Sequence, residues 1–215
     1  SCAAANTKTV LEIGAGCGSL THELALRYEK VIAIEIDRGL IPLLGYTLGE
    51  HKNVEVICGD VMKTDIRALL GDAFERGGVS VCANLPYYIT TPILMFLLES
   101  GVKLSTITVM VQNEVAARLA AKPGSADYGA ITAVLGYYGT VRKLFKVSAG
   151  CFVPAPKVDS AVVRIDLYRE PRFTPKDEAL FKNLIKAAFE MRRKTLVNAI
   201  NAKLPHINKQ DLTKA

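Results

Sequence analysis

Hydrophobic and polar positions in the first hundred residues alternate between two patterns. Short β-rich runs, "TVLEI" (9–13), "KVIAIEI" (30–36), "NVEVIC" (53–58) and "VSVCA" (79–83), read as buried strands. Longer stretches with helical spacing separate them, at 19–29, 38–50 and 63–76. After Asn84, "TPILMFLLES" reads as a helix and "TITVMV" (106–111) as a strand. Strands alternating with helices predict a parallel sheet covered on both faces. Further on, "KLFKVSAG" (143–150) and "SAVVRIDLY" (160–168) are two strands with no helix between them, so the sheet is expected to close with an antiparallel hairpin. From Arg169 the pattern becomes helical. Thr174, Pro175 and Asp177 are arranged as an N-cap, a first-turn proline and a capping-box carboxylate, and Leu180, Leu184, Ala188 and Phe189 follow at helical spacing.

Composition adds three constraints. Half of the 215 residues are hydrophobic, enough for a full core, and no apolar run is long enough to span a membrane. Cys2, Cys17, Cys58, Cys82 and Cys151 are scattered without a C-x-x-C pair. That usage suits a reducing cytoplasm, with all five expected as packing residues. The net charge of +6 is uneven: residues 1–168 are balanced, and residues 169–215 carry the whole excess. A basic helical segment on a neutral domain fits either a polyanion partner such as nucleic acid or a solvated helical face. The chain starts without methionine and stops at "DLTKA", so truncation at both ends is expected.

The candidate chemistry lies where the strands end. "LEIGAGCGSLT" places Glu12, Gly14, Gly16 and Gly18 at the first strand-to-helix turn. Glycines there let the backbone turn sharply and approach a ligand. The spacing is G-x-G-x-G rather than the dinucleotide G-x-G-x-x-G, because position 19 is serine. An acidic residue just before the loop suits a cationic ligand such as S-adenosylmethionine. Glu35, at the end of the second strand, is placed to accept from ribose hydroxyls. Asp60, at the end of the third, is placed either to accept from an adenine amine or to cap the next helix. "NLPY" follows the fourth strand. Asn84 Oδ1, with the carbonyl of Leu85 or Pro86, can accept from an exocyclic amine, and Tyr87 offers a stacking face. A sulfonium methyl is already activated, so positioning is the main requirement. No metal-ligand cluster is expected. A 5-methylcytosine enzyme would need a Pro-Cys nucleophile, and Cys151 precedes Phe152 instead.

"EIGAGCGSLT", "AIEID", "GDVMKTD" and "NLPYYITTPI" resemble successive motifs of the rRNA adenine N6-dimethyltransferases. "VQNEVAARLAAKPGSADYGAI", "FVPAPKVDSAVVRI" and "FEMRRKTLVNAI" resemble further segments, the last two more like the bacterial KsgA branch than the Erm branch. The resemblance implies a Rossmann-like class I methyltransferase α/β fold with a mostly parallel seven-stranded sheet over 1–168. A truncated basic helical domain would occupy 169–215. It implies S-adenosylmethionine-dependent dimethylation of two adjacent adenosines near the 3′ end of 16S rRNA in the small (30S) ribosomal subunit, by a cytoplasmic monomer. An Erm-type 23S rRNA methylase and a non-catalytic RNA-binding assembly factor are the alternatives. By the same resemblance Glu12, Gly14, Gly16, Gly18, Glu35, Asp60 and Asn84 serve the cofactor. Asn84, Leu85, Pro86 and Tyr87 clamp the amine, and Phe152 is the second aromatic against the flipped base. Tyr88 is expected simply to pack. Arg192, Arg193 and Lys194 are candidates for phosphate contact, or a solvated helix face.

Overall fold

A computed structural model of the chain describes residues 7–74, 78–170, 172–191 and 193–214. Seven strands form one sheet: β1 (Thr9–Ile13), β2 (Lys30–Glu35), β3 (Val54–Cys58), β4 (Val79–Asn84), β5 (Leu104–Gln112), β6 (Gly139–Val147) and β7 (Ser160–Leu167). Their order is β3-β2-β1-β4-β5-β7-β6. β1 to β5 are mutually parallel, whereas β7 runs antiparallel to both β5 and β6. The mostly parallel seven-stranded α/β sheet and its closing antiparallel hairpin are as expected.

The central strands read as continuous apolar runs because both sheet faces are covered. Every residue of β1 is buried, and so are the first five of β4. Leu11, Ile32, Val81 and Ile107 belong to one continuous core that extends to Ile93, Leu94 and Leu97. On the other face Val10, Val31 and Cys82 meet Leu24 and Tyr28.

The helices are α1 (Ser19–Ala25), α2 (Ile41–Thr47), α3 (Ile66–Leu70), α4 (Thr90–Glu99), α5 (Asn113–Leu119), α6 (Ala130–Tyr138), α7 (Glu178–Glu190), α8 (Leu196–Lys203) and α9 (Lys209–Lys214). Several are shorter than their hydrophobic patterns, and short 3-10 turns account for part of the difference at 38–40, 61–63 and 71–74. α7 begins later than the Thr174–Pro175 signal. Its N-cap is Asp177, whose Oδ1 accepts from Leu180 N at 2.9 Å. That hydrogen bond satisfies a first-turn donor itself, so no upstream cap is needed.

α7 is docked on the sheet domain by aromatic side chains and charge. The Tyr137 ring lies 5.0 Å from Phe181 and 5.2 Å from Phe173, centroid to centroid, and Tyr128 lies 5.8 Å from Phe189. Lys182 Nζ reaches Glu99 on α4 and Glu178 on its own helix, both at 3.0 Å. Partial burial opposes the Lys182 charge, but these hydrogen bonds outweigh it and raise the ammonium's pKa.

The cysteine expectation fails for three of the four cysteines among the described residues. Cys82 is buried, but Cys17, Cys58 and Cys151 are exposed: Cys17 lies in the loop between β1 and α1, and Cys58 and Cys151 are the last residues of their elements. Cys2 lies outside the described residues.

Candidate active site

Strand order reverses between β1 and β4, with β2 and β3 on one side and β5 on the other. The loops leaving β1 and β4 therefore diverge and leave a crevice at the carboxyl edge, the usual ligand position in open α/β sheets. Ile13 is in register with Ala83, which brings the glycine loop alongside Asn84. A Cβ added to Gly14 would stand 3.7 Å from the Asn84 carbonyl oxygen.

The loop needs its glycines for conformation as well as space. Gly14 and Gly16 have φ of +78° and +59°, in the region where a side chain is strained. No atom lies within 4 Å of the position a Gly16 Cβ would take, so the loop leaves open room there. Gly16 N donates to Glu35 Oε2 at 2.7 Å, and Asp37 N donates to Glu35 Oε1 at 2.9 Å. Glu35 is thus buried at the end of β2 with both oxygens engaged once, leaving each further acceptor capacity.

Glu12 lies beneath this loop and is fully buried. Neither carboxylate oxygen has a hydrogen-bond partner among the described residues. Burial pushes its carboxyl up to about 7; the neighbouring Thr21 hydroxyl opposes the rise without hydrogen-bond geometry, and the Glu35 charge adds to it. An orphaned buried carboxylate is costly unless something cationic completes it. The set therefore fits the S-adenosylmethionine expected for this loop, which carries an ammonium and a sulfonium. Asp60 fulfils the simpler of its two expectations: Oδ1 accepts from Met62 N at 2.9 Å and caps the following turn. Its carboxylate still stands at the carboxyl end of β3, beyond Cys58, which is in register with Glu35.

The segment after β4 separates two possibilities left open by the sequence. The Pro86 carbonyl already accepts from Ile89 N at 3.2 Å and from Thr90 Oγ1 at 3.3 Å. The Leu85 carbonyl has no such donor among the described residues, while the Leu85 side chain is buried in the core and Leu85 N bonds Met110 O at 3.3 Å. Asn84 is exposed at the strand end. The available acceptor pair is accordingly the Asn84 side chain and the Leu85 carbonyl.

Tyr87 is half-buried, and its hydroxyl lies 2.9 Å from Ser160 Oγ, the first residue of β7. That contact joins the β4 loop to the segment carrying Phe152. The latter is held by Asp159, whose Oδ1 accepts from Ala149 N at 2.9 Å and whose Oδ2 meets Lys146 Nζ at 2.6 Å. Phe152, half-buried after a short turn, is brought to the same sheet edge as Tyr87. Tyr88 does not pack as expected: it is 87% exposed, because Tyr87 takes the inward position. Arg193 and Lys194 are exposed in the turn between α7 and α8, not on a helix face, and Arg192 lies outside the described residues. No sequence pattern signals the Tyr87–Ser160 contact, whose partners are 73 residues apart.

The ribosomal RNA adenine dimethylase family profile matches residues 3–215. The chain belongs to that family. Among its relatives, the ribosomal RNA small subunit methyltransferase A of Alkaliphilus metalliredigens is 47% identical over 94% of this chain and 70% of its own length. The protein of that name from Clostridium acetobutylicum is 45% identical over 96% of this chain and 73% of its own. Among solved structures, a dimethyladenosine transferase from Plasmodium falciparum superposes with a TM-score of 0.76 at 32% identity, covering 96% of this chain and 74% of that one. The 23S rRNA methyltransferase ErmE superposes at 0.74 with 27% identity, over 92% of this chain and 76% of that one. The chain is therefore that of a methyltransferase enzyme with ribosomal RNA as its substrate class. Among the described residues no helix is long and apolar enough to cross a membrane, and no group of metal-ligating side chains occurs.

Proposed function

We propose that the full protein acts in the cytoplasm, as a monomer, and dimethylates N6 of two adjacent adenosines near the 3′ end of 16S rRNA in the small ribosomal subunit. The observation carrying this reading is the placement of the Gly14 loop directly against Asn84. One loop is suited to the methyl donor and the other to the amine, and they meet at the strand-order reversal. The small-subunit target is favoured over the Erm alternative by relatives named small subunit methyltransferase A at 45–47% identity.

When bound, S-adenosylmethionine supplies a sulfonium-activated methyl group. Glu12 holds the cationic end, Glu35 accepts from the ribose hydroxyls, and Asp60 offers its remaining acceptor capacity to the adenine amine. Asn84 Oδ1 and the Leu85 carbonyl accept from the target NH₂. An aryl amine is a poor nucleophile because its lone pair is delocalised; two in-place acceptors favour the pyramidal geometry that attacks. Tyr87 and Phe152 sandwich the flipped base. The Tyr87–Ser160 contact fixes the Tyr87 ring before RNA arrives. Arg193 and Lys194, with Arg192, supply phosphate contacts.

The test is incubation of full-length protein and labelled donor with unmethylated small subunits or with large-subunit RNA. Primer-extension stops at adjacent adenosines near the small-subunit RNA's 3′ end are expected. Label only in large-subunit RNA would favour the Erm-type alternative, and RNA binding without label the assembly-factor alternative.

A further inference from the structure

Two side chains bordering the site have no role in the chemistry above. Tyr88 is 87% exposed and Val153 is completely exposed. Tyr88 makes no hydrogen bond or ring contact among the described residues. A large apolar side chain exposed beside a binding site is placed to touch what binds there. Each directly follows a residue assigned to the base sandwich: Tyr88 follows Tyr87, and Val153 follows Phe152. The 2.9 Å contact between the Tyr87 hydroxyl and Ser160 Oγ ties the two segments together at the carboxyl edge of the sheet. The same contact turns Tyr87 inward and leaves Tyr88 outside it.

We infer that Tyr88 is an RNA wedge, with Val153 as a second apolar shoulder. Tyr88 occupies the stack position that the target adenosine vacates. The inference rests on the proposed adenine methylation, since a base must leave its stack to reach Asn84. Extruding a base costs unstacking energy, and an apolar or aromatic side chain inserted in the gap offsets that cost. Tyr88 is a positioning residue: it acts on the neighbours of the target base and not on the reacting amine. Its flanking position suits it to that task, because α4 begins two residues later at Thr90 and anchors the loop's exit.

The role predicts dependence on RNA structure. Full-length wild type, Tyr88→Ala and Tyr88→Phe are compared on two RNAs presenting the same adenosines, one folded with those bases stacked and one unstructured. Tyr88→Ala should lose about tenfold in kcat/KM on the folded RNA and less than twofold on the unstructured one. Tyr88→Phe should match wild type on both. With 2-aminopurine at the target position, wild type should raise the fluorescence of the folded RNA on binding, and Tyr88→Ala should largely fail to. Equal activity of Tyr88→Ala and wild type on folded RNA, or an equal loss on both RNAs, overturns the wedge. The fluorescence reading needs no methyl transfer, so a normal rise with Tyr88→Ala overturns the wedge alone. Absence of transfer by wild type to either RNA overturns the methylation reading, and the wedge with it.

Discussion

Glu35 closes the glycine loop: its Oε2 accepts from Gly16 N at 2.7 Å across 19 residues of sequence. The carboxylate proposed to hold the ribose also sets the backbone shape of the loop in front of it. Binding and loop order are therefore coupled through one side chain.

Glu35→Ala should accordingly weaken S-adenosylmethionine binding by more than its ribose contacts alone. Loss of a hydrogen bond to a charged group costs about 1.5–3 kcal/mol, so tenfold or greater weakening is expected by calorimetry. Glu35→Gln keeps an oxygen for Gly16 N or Asp37 N but not for both, and should fall between. Unchanged affinity in Glu35→Ala would remove this residue from the site.

Glu12 predicts a pH dependence. With its carboxyl raised to about 7, the folded apo protein carries it largely neutral below that pH. Capture of a cationic donor then requires proton release, so donor affinity should rise from about pH 5.5 and level off above about pH 8. Apo stability has the opposite sense. The contribution of the neutral carboxyl is complete below the unfolded value near 4.5 and is lost as pH rises through about 7. Glu12→Gln should flatten the affinity profile, weaken binding at pH 8, and stabilise the apo protein at pH 8 by on the order of 3 kcal/mol. Parallel affinity profiles for Glu12→Gln and wild type would contradict this assignment.

Tyr87→Phe and Ser160→Ala each remove one partner of the hydroxyl contact. The Ser160 side is fully buried, so an unpaired hydroxyl there costs about 1–3 kcal/mol. Both variants should lower the thermal midpoint by several degrees and weaken capture of the target base, with donor affinity unchanged. The double variant should be less than additive in thermal denaturation. Strict additivity would mean the two groups act independently.

These contacts mark the limit of what the sequence makes legible. β1, β2 and β4 could be read because buried parallel strands are written as unbroken apolar runs. Glu12, Glu35, Asp60 and Asn84 stand out as site candidates because each lies within two residues of a strand end, where a polar residue interrupts or follows such a run. α6 is not legible as a helix: "ITAVLGYY" is rich in β-branched and aromatic residues, and tertiary packing overrides that propensity. The cap of α7 is ambiguous in the sequence because Thr174 and Asp177 both have capping side chains, and only the Leu180 N bond distinguishes them. The choice between the Leu85 and Pro86 carbonyls depended on backbone donors from Ile89 and side-chain donors from Thr90. No residue pattern encodes it.

The exposed turn holding Arg193 and Lys194 gives a prediction separate from catalysis. Replacing Arg192, Arg193 and Lys194 with Gln should weaken RNA binding across sequences. It should also reduce the log–log salt slope by up to about 2–3, at roughly 0.7–0.9 per lost phosphate contact. Filter binding over a salt series would measure it. An unaltered slope would leave this turn merely solvated.

The most direct test of the account is single-turnover methylation of unmodified small subunits by full-length Asn84→Ala. Asn84 is proposed to act on the amine as it attacks, so its loss should appear in the chemical step, with donor and RNA affinity close to normal. The account predicts a rate lower by about a hundredfold, comparable to losing one in-place donor of an oxyanion hole. A wild-type single-turnover rate would contradict it and leave Asn84 as a strand-end residue only.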